Sequence, residues 1–233
     1  MLSKYHGRAL VVATGACAVH CRYCFRRHFP YDAEREDLAG FSSATDAVAA
    51  DATIDEIILS GGDPLMLPDE QLARFANRIG AIRHLRRLRI HTRLPVVLPE
   101  RVDETLVDWI SSCVLPVIVV VHVNHPREID DRVRRAMRTL GAAGVTLLNQ
   151  AVLLRGVNDS GDALSELSKR LFDCGVMPYY LHLLDRVAGA AHFEVDVDRA
   201  LAIMDDLRAR LPGYLVPRLV REVAGAPSKV VLG

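Results

Sequence analysis

Six apolar runs of strand length punctuate the chain, at 9–14, 56–60, 88–92, 117–122, 145–151 and 177–183. They are rich in valine, isoleucine and leucine, which predicts parallel strands buried on both faces. Between them, apolar positions return at helical spacing. Helices are expected over 69–82 behind Pro68, over 100–113, over 126–143 up to Gly144, over 162–174 up to Gly175, and over 196–210 ahead of Leu211-Pro212-Gly213. Regular alternation of strand and helix makes the fold α/β, a partial (βα)6 TIM-like barrel of parallel strands.

Such a barrel collects its chemistry at the C-terminal ends of the strands. The polar residues obey that rule. Thr14 closes the first run, and Ser60-Gly61-Gly62-Asp63 the second. His91-Thr92-Arg93, His122-Val123-Asn124-His125, Asn149-Gln150, and His182 with Asp185 close the other four. All six strands thus deliver polar groups to one face. The basic stretch 83–93 reads as solvated surface.

Composition narrows the class of protein. The chain has 233 residues, half of them hydrophobic, enough for one core, and it shows no linker, repeat or low-complexity segment; it reads as a single domain over 1–233. Lysine plus arginine equals aspartate plus glutamate at 29 each, so charge points to no nucleic-acid partner. The longest apolar run, 114–121, is broken by Pro116 and falls far short of the ~20 residues that span a bilayer. The first residues lack the apolar centre of a signal peptide, so the expected location is the cytoplasm. Five cysteines are present, three of them within eight residues. In a reducing compartment such a cluster reads as metal ligands or catalytic groups. Cys113 and Cys174 stand apart and read as small buried apolar residues.

Cys17-x3-Cys21-x2-Cys24 offers three thiolates directly after the first strand. Four would saturate a [4Fe–4S] cluster; three leave one iron open to a ligand. The competing reading is a zinc site completed by His20 or His28. Gly61-Gly62 lets backbone approach a ligand closely, and Asp63 beside it offers a carboxylate to an ammonium group.

The cysteine spacing followed by aromatic Phe25, with the glycine pair after the next strand, resembles radical S-adenosylmethionine enzymes. Further stretches narrow the resemblance to the lysine 2,3-aminomutase family: Cys24-Phe25-Arg26-Arg27-His28-Phe29, Leu59-Ser60-Gly61-Gly62-Asp63-Pro64-Leu65, Arg93-Leu94-Pro95-Val96-Val97-Leu98-Pro99, Asn149-Gln150-Ala151-Val152-Leu153-Leu154-Arg155-Gly156-Val157-Asn158-Asp159 and Gly213-Tyr214-Leu215-Val216-Pro217. Within it, His28-Phe29-Pro30-Tyr31, Tyr179-Tyr180-Leu181-His182 and Gly189-Ala190-Ala191-His192-Phe193 are most similar to the bacterial branch that makes β-lysine for elongation factor P.

The resemblance implies an isomerase with three cofactors: a [4Fe–4S] cluster on Cys17, Cys21 and Cys24, S-adenosylmethionine, and pyridoxal 5′-phosphate. It implies Ser60, Gly61, Gly62, Asp63, His122 and Gln150 around S-adenosylmethionine, which the cluster opens to methionine and a 5′-deoxyadenosyl radical. Arg8 matches a contact to the phosphate of pyridoxal phosphate, and Lys229 in Ala226-Pro227-Ser228-Lys229 matches its Schiff-base lysine. Arg26 matches the partner of the substrate carboxylate; Asp185 and Glu222 match the partners of the distal ammonium. The second of these is aspartate in most of the family, and glutamate fits the elongation factor P branch. Beyond Lys229 the chain departs from the family's Lys-Thr-Pro and reads Lys229-Val230-Val231-Leu232-Gly233. The family also carries a helical region before the segment that starts at Lys4, and this chain begins without one.

The implied partners are lysine as substrate, a reductant protein as electron donor, no nucleic acid and no membrane, with a homo-oligomer as an option. A related aminomutase acting on arginine, or a zinc-stabilised binding module, remains as an alternative. Glutamate as substrate is disfavoured by the two carboxylates.

Overall fold

The computed structural model describes residues 2–3, 5–26, 41–223 and 225–233. Among the described residues nine strands form one sheet in sequence order: β1 Leu2–Ser3, β2 Arg8–Thr14, β3 Glu56–Gly61, β4 Arg87–Thr92, β5 Val117–Val121, β6 Thr146–Val152, β7 Val176–His182, β8 Arg218–Arg221 and β9 Val230–Val231. Neighbours from β2 to β8 pair in parallel, while β1 and β9 add short antiparallel pieces at the two edges. Sequential order with parallel pairing is that of a barrel, and among the described residues the edge strands do not pair with each other, so the barrel is partial.

Seven strands are parallel, not the six read from the sequence. The additional one, β8, has only four residues, Arg218-Leu219-Val220-Arg221, and charged ends disguise its two buried positions. The other six lie within one residue of their expected limits at either end.

Besides a single helical turn at Leu94–Val97, the helices described are α1 Ser42–Ala50, α2 Asp69–Gly80, α3 Glu104–Ser112, α4 Asp131–Ala142, α5 Gly161–Asp173 and α6 Val197–Arg210. Four begin on a side-chain cap: Asp103, Asp130, Ser160 and Asp196 accept from the backbone N–H of Leu106, Val133, Ala163 and Arg199. Such a cap contributes about 1 kcal/mol. The caps at Asp103 and Asp130 also explain why α3 and α4 start later than their apolar spacing predicts. Residues ahead of them form separate 3₁₀ turns, Pro99–Arg101 and Pro126–Glu128. Glycines with positive φ, Gly144 at 85° and Gly175 at 83°, end α4 and α5.

The main core lies between the sheet and its helices, around Phe75, Leu72, Leu88, Leu106, Met137 and Leu140. Cys174 is fully buried and Cys113 packs against this core. A second, small cluster of Leu10, Val12 and Ile58 sits apart on the inner side of the barrel. The register puts Leu10, Ile58 and Arg89 in one row, and Arg8, Glu56 and Arg87 in the row below.

Strand β4 corrects the surface reading of 83–93. It alternates Leu88, Ile90 and Thr92, all buried, with half-buried Arg87, Arg89 and His91. Arg87, Arg89 and Arg93 carry ion pairs with Asp55, Glu56 and Glu128, and Arg89 is only 16% exposed. Glu56, nearly buried, has three arginines around it, Arg8, Arg87 and Arg89. No helix among the described residues is long and apolar enough to cross a membrane.

Candidate active site

The cysteine loop leaves the end of β2 and is tied to the end of β3. Gly62 N–H donates to the carbonyl of Thr14 at 2.6 Å, and Asp63 N–H to that of Ala16 at 2.8 Å. Within the loop Cys24 N–H donates to the Cys21 carbonyl, and Ala16 N–H to Thr14 Oγ1. The strand ends approach so closely that only glycine fits. Gly61 has φ 118°, and a Cβ there would lie 2.6 Å from the Thr14 carbonyl; one on Gly62 would overlap the Ala16 carbonyl. The glycine pair therefore serves the cysteine loop itself as well as any ligand against it.

Asp63 is buried, and its carboxylate is engaged within the chain. It accepts from Thr92 Oγ1 at 2.6 Å, Arg93 N–H at 2.7 Å, and the N–H groups of Leu94 and Leu65 at 3.1 Å. Burial raises its pKa, against the pull of these donors. Instead of the free carboxylate the sequence offered to an ammonium group, the structure has a hub joining the ends of β3 and β4.

That hub aims Arg93 at the cysteines. Its Nη1 donates to Cys21 Sγ at 2.9 Å and to the Tyr23 hydroxyl at 3.0 Å, and Nη2 donates to Glu128 Oε2 at 2.7 Å. Glu128 is fixed by the N–H groups of Asn124 and His125. Asn124 Nδ2 reaches the same Tyr23 hydroxyl.

Deeper in the barrel lie the imidazoles of His91 and His122, with ring centroids 5.7 Å apart. His122 Nδ1 is 3.3 Å from the Gln150 carbonyl. Burial pushes the pKa of His122 down to about 4, with Arg93 and Lys229 adding to the effect. Burial likewise holds His91 well below the ordinary value, helped by His122, Arg89, Lys229 and Arg26. Both rings are therefore neutral near pH 7.

Lys229, just before β9, closes this space. Its Nζ lies 2.5 Å from Glu222 Oε2 and 5.9 Å from the centre of the Tyr180 ring. The Tyr5 hydroxyl donates to Glu222 Oε1 at 2.7 Å, and the Arg8 guanidinium lies over the Tyr5 ring at 5.4 Å. Burial, reinforced by Glu222, holds the Tyr5 phenol well above its ordinary pKa. Arg8, Glu222 and Lys229 are thus gathered from opposite ends of the chain. Arg26 lies half-buried beyond the last cysteine, near enough to His91 to act on it electrostatically. Ser60 and Asp185 are half-buried at the ends of β3 and beyond β7. His28, offered to zinc by the sequence, lies outside the described residues, as do Arg27 and 28–31.

Sequence reasoning placed His91 and Arg93 at the chemistry-bearing end of their strand without a role, and passed over Tyr5, Tyr23, Arg89 and Glu128 as members of the site. For Arg89 a signal existed: with Arg87, His91 and Arg93 it occupies every second position of one strand and its extension, the spacing of one face.

The cysteines suit a cluster. All three are half-buried, and none forms a disulfide. Burial, then the charges of Asp63, Cys24 and Cys21, push the thiol of Cys17 up to about 11. Among the described residues no group of three His, Cys, Asp or Glu side chains is placed around a single ion. In a cubane each sulfur would serve a different iron.

Comparison with known proteins agrees. Residues 11–167 match the model of the radical SAM superfamily. The chain is 52% identical over 232 residues to L-lysine 2,3-aminomutase of Escherichia coli K12, covering all of this chain and 68% of that enzyme. The enzyme of the same name from Haemophilus influenzae is 50% identical, with 99% and 68% covered.

This chain belongs to the lysine 2,3-aminomutase family.

A more distant aminomutase, from Clostridium subterminale, is 36% identical over 97% of this chain and 54% of that enzyme. Solved structures show the same fold. A radical SAM methyltransferase from Sphaerobacter thermophilus superposes with a TM-score of 0.56 at 22% identity, covering 78% of this chain and 55% of that one. Coproporphyrinogen III oxidase from Escherichia coli gives 0.59 at 12% identity, with 89% and 52% covered. As a radical SAM family the aminomutases use a [4Fe–4S] cluster and S-adenosylmethionine, and they add pyridoxal 5′-phosphate.

Proposed function

We propose that this chain is a radical isomerase that converts L-α-lysine to β-lysine by moving the amino group from carbon 2 to carbon 3. The observation that carries the reading is the meeting of Lys229 with Glu222 inside the barrel, in a chain 52% identical to an L-lysine 2,3-aminomutase. When bound, the cluster with S-adenosylmethionine supplies a carbon-centred radical and pyridoxal phosphate supplies an electron sink.

In this reading Cys17, Cys21 and Cys24 hold the cluster. Ser60, Gly61 and Gly62 present backbone at the mouth, and Asp63 keeps that backbone in place. His122 and Gln150 line the S-adenosylmethionine side. The neutral state of His122 suits a role as hydrogen-bond partner without charge. Lys229 holds pyridoxal phosphate through its amine, and Arg8 meets the phosphate. Arg26 binds the substrate carboxylate, and Asp185 and Glu222 bind its distal ammonium. A buried, mostly apolar wall of Leu10, Val12 and Ile58 keeps water away from the lumen.

The electron donor is a low-potential reductant protein, the working compartment is the reducing cytoplasm, and the product serves the modification of elongation factor P. Two variants test the assignments. C21A is expected to lose iron and product together, and product from C21A would refute the cluster assignment. K229A is expected to lose the borohydride-trappable link to pyridoxal phosphate, and its retention would refute the lysine assignment. Loss of β-lysylated elongation factor P in a deletion strain, read by intact mass, tests the cellular role; an unchanged mass would contradict it.

A further inference from the structure

Arg93 donates from its guanidinium to a cysteine sulfur, Cys21 Sγ, at 2.9 Å. Its companion Arg101 marks the contrast. That side chain spends its donors on the carbonyls of Leu65 and Leu67 and on Asp69, the usual partners of a structural arginine. Arg93 instead directs Nη1 at Cys21 Sγ and the Tyr23 hydroxyl.

The aim is held from three sides. Asp63 fixes the Arg93 backbone at 2.7 Å, Glu128 takes Nη2 at 2.7 Å, and the Tyr23 ring lies 5.9 Å from the guanidinium carbon. With its side chain only 22% exposed, the cation is poorly screened. As an arginine it keeps its charge at every ordinary pH.

The proposal rests on the reading that Cys21 is a cluster ligand. Accepting one electron adds one negative charge to a cluster and its thiolates. A fixed cation donating to one sulfur stabilises that charge more in the reduced state than in the oxidised state, and hydrogen bonds to ligand sulfur are a recognised control on cluster potential. We propose that Arg93 is a positioning residue for electron entry: through its hydrogen bond to Cys21 it raises the reduction potential of the cluster, with Glu128 and Tyr23 holding it in place. The donor gives up one electron and the cluster takes it; Arg93 shifts that equilibrium and exchanges no atom.

The experiment is a redox titration, followed by electron paramagnetic resonance, of anaerobically reconstituted wild type, R93Q and R93K, each assayed for iron and sulfide. R93Q is expected to hold its iron and to be harder to reduce by at least tenfold in the equilibrium, about 59 mV for one electron. R93K keeps the charge without the fork and is expected between R93Q and wild type. Both variants fully loaded and titrating with wild type would overturn the proposal. So would an R93Q that loses iron beside an R93K that titrates normally, since the contact would then be structural. A wild-type chain that takes up no iron would remove the cluster reading itself, a different failure read from the iron assay alone.

Discussion

Lys229 Nζ and Glu222 Oε2 lie 2.5 Å apart, so a lysine and a carboxylate assigned to different ligands hold each other in the described structure. Under the proposed function that carboxylate would face two ammonium groups in turn, the chain's own and the substrate's, with Lys229 the residue that would hold pyridoxal phosphate and Glu222 the partner of the distal ammonium. Two opposite effects are expected of E222Q. Without the carboxylate the Lys229 amine loses its ion-pair partner, so pyridoxal phosphate uptake, read by absorbance, becomes faster. Lysine binding weakens by about tenfold or more, the loss of one charge-assisted hydrogen bond of ~1.5 kcal/mol. Unchanged uptake and unchanged lysine affinity would contradict the exchange.

Gly62 is fixed by space. A Cβ there overlaps the Ala16 carbonyl, which is backbone and cannot swing aside. G62A is therefore expected to displace the cysteine loop from the end of β3. The measure is iron bound per chain after reconstitution, expected to drop severalfold while far-ultraviolet circular dichroism stays that of the wild type.

Asp63 serves four donors at once: Thr92 Oγ1 and the N–H groups of Leu65, Arg93 and Leu94. D63A strands these groups in a buried place, at a cost of about 3 kcal/mol or more. D63N keeps the size and half of the acceptor capacity, and is expected to lose less. Urea unfolding of the two variants gives the order, and D63A as stable as D63N would contradict the hub.

The two lumen histidines impose a pH dependence of stability. His122 has a folded pKa near 4 against an ordinary 6.5, and His91 is lowered in the same direction. Between those values the unfolded chain binds more protons than the folded one, so stability is present above about pH 6.5 and falls as pH drops through that window. Each histidine contributes up to ~1.4 kcal/mol per pH unit. H122N is expected to flatten the slope between about pH 6 and about pH 4 in anaerobic denaturation curves.

The barrel was legible because its parallel strands are apolar runs and its helices stop at glycine. Six strands fell within one residue of their expected limits. What escaped was short or charged. Strand β8 offers only Leu219 and Val220 between arginines, too little apolar signal to stand out. Strand β4 was legible as a strand, yet its arginines read as surface, because composition does not tell that Glu56 waits opposite them inside the barrel. The cysteines and the glycine pair stand out by their spacing, whereas Lys229 stands out only through the family resemblance. Tyr5 and Glu222 meet across 217 positions, and Arg93 and Cys21 across 72, so only the fold brings them together. The same holds for Asp63: its place was visible in the sequence, but its hydrogen bonds to β4 were not.

The most direct test of the whole account is anaerobic incubation of the reconstituted chain with L-lysine, S-adenosylmethionine, pyridoxal phosphate and a low-potential reductant, scored for β-lysine by mass spectrometry. The account predicts β-lysine that depends on all three cofactors and is absent from C21A and K229A, with arginine and glutamate converted more slowly or not at all. A chain loaded with iron and pyridoxal phosphate that leaves lysine unchanged, or that converts arginine in preference, would contradict it.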